Sequence, residues 1–259
     1  MNTQEVSDHH IIAFITGAST GIGLETARKL STPALYKDYH VIIGALQGKD
    51  GEKAVQELKS EDATRSLSWV EIDVTSDDSI EAALNKIQQA FGRLDVLIHN
   101  AGVLLDPLTS PDVPRSRFEK TYQVNVFGPA VLTDAAIPLL EKSISPNPRI
   151  VFVSSLMGSL ATKADTSHPD WFHGFPVYRS SKSALNMVML HFAQLLRERG
   201  WKVNATDPGL IRTAMNKPGI VYPPMGTVEE GARNCLRLAI LGPDGETATF
   251  SNNNGIALW

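Results

Sequence analysis

The chain of 259 residues contains a single cysteine, Cys235, so no internal disulfide can form. That count fits a reducing compartment, and the plain reading of Cys235 is a small apolar residue on a late helix. A basic run is also missing. With 24 Lys and Arg against 28 Asp and Glu, the formal net charge is -4. Neither a nucleic-acid footprint nor an anionic-membrane surface is expected from such a balance. No stretch approaches the roughly 18 apolar residues of a membrane span, and the opening "MNTQEVSDHHIIAFITG" has no basic segment leading into an apolar one. The expectation is a soluble, cytoplasmic protein. Interior linkers, repeats and low-complexity tracts are lacking too, which argues for one domain over residues 1 to 259.

What is present is an alternation. "IIAFIT" (11 to 16), "HVIIGA" (40 to 45), "LSWVEID" (67 to 73), "LDVLIH" (94 to 99), "RIVFVSS" (149 to 155) and "KVNATD" (202 to 207) read as buried strands. Helical patterns separate them: "GIGLETARKL", "GEKAVQELK", "DSIEAALNKIQQAF", a long segment from about Arg115 to Lys142, and "PVYRSSKSALNMVMLHFAQLL" from Pro176. This order predicts an α/β fold, a parallel sheet with helices on both faces. Right-handed crossovers would then gather the loops after the strands along one sheet edge.

The first of those loops is "TGASTGIG", residues 16 to 23, lying directly between a predicted strand and a predicted helix. Gly17 and Gly21 permit backbone conformations closed to other residues, Ile22 opens the helix, and Gly23 lets it approach the sheet. The amides at the helix start would face a pyrophosphate. Many dinucleotide sites carry an acidic residue about 20 positions further on, where it bonds the ribose 2′-hydroxyl. Here that place holds Ala45 or Leu46. Lys49 stands nearby and can meet a 2′-phosphate, with Ser19 and Thr20 as hydroxyl donors, so NADP(H) is favoured over NAD(H).

Tyr178 and Lys182 are four residues apart and share a helix face. At about 4 Å and an effective dielectric of about 20, an ammonium is worth at most about 4 kcal/mol to a phenolate, or roughly three pKa units. The lysine would thereby turn an inert phenol into a usable proton donor and acceptor.

With "TGASTGIG", "DV" (73 to 74), "NAG" (100 to 102), "VN" (124 to 125), "SS" (154 to 155), "YRSSK" (178 to 182) and "DPGLIRT" (207 to 213) in this order, the chain resembles the short-chain dehydrogenase/reductase family from Ile11 onward. The resemblance is to its single-domain branch with a Rossmann-like, doubly wound parallel sheet. It implies that Tyr178 is the catalytic acid/base, that Lys182 lowers its pKa and holds the nicotinamide ribose, that Ser155 bonds the substrate oxygen with Ser154 as the fallback, and that Asn125 holds a water relay behind Lys182. It further implies that Asp73 and Val74 line the adenine, that Asn100, Ala101 and Gly102 form the loop beneath the cofactor, and that Pro208, Gly209, Ile211 and Thr213 lie near the nicotinamide amide. The family's dimers and tetramers become options for this chain.

Between Ser155 and Tyr178 the chain carries "LMGSLATKADTSHPDWFHGFPV", roughly ten residues more than family members often have. With Trp171, Phe172 and Phe175, this insertion at about 156 to 177 reads as a wall or lid for a bulky or aromatic ketone. His168, Asp170 and His173 lack metal-ligand spacing, so no metal is expected. The tail "LGPDGETATFSNNNGIALW" resembles the closing strand of carbonyl-reductase-like members. The resulting expectation is an NADP(H)-dependent reductase of ketones or aldehydes. The alternatives are an NAD-dependent secondary-alcohol dehydrogenase and, in another class, a nucleotide-sensing protein without catalysis.

Overall fold

Alternate residues along the strands feed two different cores. Side chains of a strand point in turn to opposite faces, so Ile12 and Phe14 join one buried cluster while Ala13 and Ile15 join another. A strand buried on both sides must be apolar throughout, and this explains the continuous runs in the sequence. The computed structural model describes residues 9–36, 38–107, 112–167, 174–215 and 224–259.

The strands are β1 (Ile11–Ile15), β2 (Tyr39–Ala45), β3 (Leu67–Glu71), β4 (Val96–His99), β5 (Arg149–Val153), β6 (Lys202–Thr206), β7 (Phe250–Asn252) and β8 (Gly255–Ile256). They form one sheet in the order β3-β2-β1-β4-β5-β6-β7-β8, parallel except for the last pair. The helices are α1 (Gly21–Leu30), α2 (Pro33–Tyr36), α3 (Gly48–Glu61), α4 (Asp77–Phe91), α5 (Arg115–Tyr122), α6 (Gly128–Leu140), α7 (Leu160–Ala164), α8 (Pro176–Leu195) and α9 (Val228–Ala239). Side chains of α4, α6 and α8 fill the first core; α1, α3 and α9 fill the second. Cys235 belongs to the second, where burial pushes its thiol up to about 12. The strand order reverses between β1 and β4, and in open α/β sheets ligands bind at that switch point, outside the carboxyl ends of the strands.

By length and hydropathy the helical run Arg115–Leu140 is apolar enough to cross a membrane, which the sequence reading did not expect, yet half of its most apolar window is buried. Its α6 half packs on α4 and β4 as one layer of the fold.

Two histidines are built into the cores in neutral form. His40 places its two ring nitrogens 2.8 Å from the hydroxyls of Ser66 and Ser68. His99 stacks on Phe152 and lies 2.7 Å from Thr133 Oγ1, whose own proton goes to the Pro129 carbonyl. Burial, the leading cause in each, lowers both from 6.5 to about 3. A depressed folded pKa means that the unfolded chain takes up protons first. The stability they confer is therefore complete above the unfolded value of 6.5 and is lost as pH falls toward about 3. Each histidine should cost about 1.4 kcal/mol per pH unit in that window. Thermal melts at about pH 7 and about pH 5 should show the midpoint falling by roughly 8 to 16 °C; a flat profile would refute the neutral-core assignment.

Candidate active site

At the switch point, the loops that follow β1 and β4 are laced together. Thr16 Oγ1 accepts from the amides of Asn100 (3.1 Å) and Ala101 (3.2 Å), and Asn100 Nδ2 donates to the carbonyls of Thr16 (3.0 Å) and Gly17 (2.9 Å). Gly17 and Gly21 sit at φ 63° and 60°, the left-handed region that favours glycine. Helix α1 starts here with no side-chain cap and no acidic residue in its first turn. By contrast, α4 and α9 are capped by Ser76 and Thr227. An uncapped helix start behind a glycine turn leaves amides and the positive dipole end for an anion, so the residues present fit a dinucleotide pyrophosphate. Ser19 and Thr20 lie in this turn, Ile22 packs toward Gly231 and Ile211, and Thr213 faces Gly21. Gly209, after Pro208, turns that segment at φ 80°. The structure thus brings Ile211 and Thr213 to the glycine loop from about 190 residues away.

The catalytic candidates converge beyond this loop. Ser155 follows β5 and stands beside the Tyr178 phenol, where its hydroxyl acts to lower the phenol's pKa; its Oγ accepts from the Met157 amide at 3.2 Å. Ser154 turns the other way, donating to Asn186 Oδ1 at 2.6 Å. Lys182, one turn along α8, holds its ammonium 5.6 Å from the centre of the Tyr178 ring and donates to the Val153 carbonyl at 2.8 Å. Asn125 sits in a π-helical turn (Gln123–Phe127) joining α5 to α6, a local widening frequent at functional sites. Its amide pairs with both backbone groups of Val103 (2.8 and 2.9 Å) and donates to Ser181 Oγ at 3.1 Å. Gly102 closes the group: a methyl there would lie 3.4 Å from Asn125 Oδ1 and 3.7 Å from Lys182 Nζ.

The electrostatics correct the sequence reading. Burial raises the Tyr178 phenol above its ordinary 10.0, Asp207 raises it further, and only the neighbouring Ser155 hydroxyl lowers it. Burial therefore outweighs whatever lowering Lys182 supplies, and the ammonium donates to the Val153 carbonyl. The lysine itself is lowered to about 8, burial outweighing the attraction of Asp207.

Two aspartates that sequence reasoning missed hold this group in place. Asp106 is buried after the "NAG" loop and accepts from the amides of Val177 (3.3 Å) and Tyr178 (2.8 Å), fixing the start of α8. Asp207, at the end of β6, accepts from the Leu156 amide at 2.9 Å and so pins the turn that carries Ser155. The signal for either would have been a carboxylate in a loop at the sheet edge, unremarkable until the fold is known.

Both ends of the insertion are tied to α8. Arg179 donates to the carbonyls of Gly174 (2.9 Å) and Met157 (3.3 Å), and Ser183 to that of Gly158 (2.6 Å). Phe175 is buried at φ 60°, directly before Pro176. Trp171, Phe172, His168, Asp170 and His173 lie outside the described residues.

Just after β3, Asp73 Oδ1 accepts from the amide (2.9 Å) and hydroxyl (2.7 Å) of Thr75, and the next residue, Val74, packs against Gly128. Leu46 is 64% exposed and Lys49 projects from the first turn of α3. The carboxylate that the sequence reading found missing at the end of β2 arrives from β3 instead. Ala45 is in register with Glu71, whose Oε2 accepts from the Gly48 amide at 2.7 Å.

Comparison with known proteins agrees with this geometry. Residues 11–219 match the family model described as short chain dehydrogenase. The short-chain dehydrogenase/reductase ATR10 of Stachybotrys chlorohalonatus is 39% identical over 254 residues, covering 95% of this chain and 89% of that protein. Among solved structures, the NADPH-bound carbonyl reductase from chicken fatty liver is similar at 27% identity and a TM-score of 0.78, covering 96% of this chain and 99% of that one. Salutaridine reductase from Papaver somniferum is similar at 25% identity and a TM-score of 0.75, covering 94% and 100%. A glycine turn opening an uncapped helix, a serine beside a tyrosine at the next strand ends, a lysine one turn behind, and a family match across these elements lead to one conclusion: the chain belongs to the short-chain dehydrogenase family.

Proposed function

We propose that the protein is an NADP(H)-dependent reductase that converts a ketone or aldehyde, bulky or aromatic, to its alcohol. The observation that carries this reading is the grouping of Ser155 and Tyr178 at one sheet edge with Lys182 behind them. When bound, the nicotinamide supplies the hydride. Tyr178 gives its phenolic proton to the developing alkoxide, and the Ser155 hydroxyl donates a hydrogen bond to the same oxygen. A phenol raised by burial holds its proton, as a donor to the developing alkoxide must; a preference for the phosphorylated nucleotide would favour reduction. Lys182 and the Asn125 turn hold the ribose side of the site. The amides of the Gly17–Gly23 turn would hold the pyrophosphate. The exposed Leu46 and the free-standing Lys49, together with the NADPH in the chicken carbonyl reductase, support the phosphorylated nucleotide. The anchoring of both ends of the insertion beside Ser155 and Tyr178 supports its reading as a wall for a large substrate.

Loss of nicotinamide absorbance with a panel of aliphatic, aromatic and bulky ketones tests this. NADPH should be consumed with the bulky members and faster than NADH. Turnover of alcohols with NAD+ alone would redraw the enzyme as a dehydrogenase, and tight nucleotide binding without turnover would point to a sensing protein.

A further inference from the structure

Glu71 lies where the nucleotide selectivity of such a site is decided. In dinucleotide folds the residues at the end of β2 meet the adenosine ribose, and a carboxylate there accepts from the 2′-hydroxyl. Here the end of β2 offers Ala45 and Leu46, but the parallel register sets Glu71 beside Ala45, and its carboxylate closes on the first amide of α3. The N–H of Gly48 and the dipole end of a helix spanning Gly48–Glu61 are what an incoming 2′-phosphate would seek. They are already met by an anion of the protein's own. No lysine or arginine pairs with Glu71 among the described residues, so its charge is not neutralised locally. Lys49, the next residue along α3, carries the opposite charge at the same rim.

We infer that Glu71 is a specificity-determining residue for the nucleotide. Its carboxylate opposes the 2′-phosphate of NADPH and accepts from the 2′-hydroxyl of NADH, so the margin between the two is set by Glu71 working against Lys49. The protein accepts both nucleotides, and the preference for NADPH is narrower than Leu46 and Lys49 alone would give. This rests on the nucleotide-dependent function proposed above and sharpens it.

The site contains its own reporter, since Trp69 packs against Gly48: a methyl added there would lie 2.9 Å from the indole. Dissociation constants for NADPH and NADH, read by protein fluorescence, are compared for the wild type, Glu71→Gln and Lys49→Met. The glutamine keeps an acceptor for the Gly48 amide while removing the charge. Glu71→Gln should shift the ratio of the two constants on the order of tenfold toward NADPH, an effect that shrinks at high salt. Lys49→Met should shift it the other way. If Glu71→Gln leaves the ratio unchanged, or weakens both nucleotides in parallel, Glu71 is only a helix cap and the inference fails. The parent reading fails separately, and the inference with it, if the wild type binds neither nucleotide.

Discussion

Replacing Tyr178 with phenylalanine should cut turnover on the order of a thousandfold while nucleotide binding stays within a few-fold of the wild type. The size follows from what is removed. A positioned proton donor contributes typically about 10² to 10⁴ in rate, and nothing else in the group replaces it. Ser155 can still donate a hydrogen bond to the substrate oxygen, but an aliphatic hydroxyl gives up its proton less readily than a phenol. Lys182 cannot step in, since its ammonium points to the Val153 carbonyl. The variant should fold, because the ring remains to pack and the backbone amide of residue 178 keeps its bond to Asp106. The paired measurement is what discriminates. A loss in turnover with unchanged NADPH binding marks a group acting on the reacting oxygen, whereas parallel losses would mark a collapsed pocket. Turnover within tenfold of the wild type would remove Tyr178 from the role of acid.

The same residue shows how far the sequence could be read. The spacing of Tyr178 and Lys182 does put both on one face of α8, and the order of the strands, the glycine turn and the sheet edge were all visible as buried apolar runs broken by loops. What spacing cannot convey is environment. The lysine was expected to draw the phenol toward neutrality, yet burial sets the direction and the ammonium is spent on a carbonyl from the neighbouring strand. Nor can spacing convey partners distant in sequence. Asp106 caps α8 across 72 residues, and Asp207 holds the serine turn across 51. Glu71 lies inside "LSWVEID", read as a buried strand with no role for its carboxylate; only the pairing of β2 with β3 brings that carboxylate to the loop where the sequence seemed to lack one. The last two strands were legible only as a resemblance in the tail, because β7 and β8, at three and two residues, are too short for any periodicity.

Gly23→Ala should damage the nucleotide loop severely, lowering the melting midpoint by roughly 6 to 12 °C, or about 3 kcal/mol. Gly23 is not glycine for the sake of its dihedral angle, being absent from the residues of positive φ. It is glycine for space. A Cβ there would sit 2.4 Å from Asn100 Nδ2, 2.7 Å from the Gly17 carbonyl oxygen and 2.9 Å from Ala18 Cα. Two of those neighbours are backbone and cannot swing away. The third is the amide that laces the β4 loop to the glycine turn through Thr16 and Gly17. A methyl group must therefore either lift α1 off the sheet or break that lacing, and both displace the amides that would hold the pyrophosphate. Nucleotide affinity should fall on the order of a hundredfold with the stability. Gly21→Ala is the control. Gly21 does need its left-handed φ of 60°, but a Cβ there meets only Thr213 Cγ2 at 3.5 Å, an ordinary contact. Its cost should stay near the 1 to 2 kcal/mol of left-handed strain, about 2 to 8 °C. If the two variants melt together, or Gly23→Ala binds nucleotide like the wild type, then close approach of α1 to the sheet is not what assembles this site.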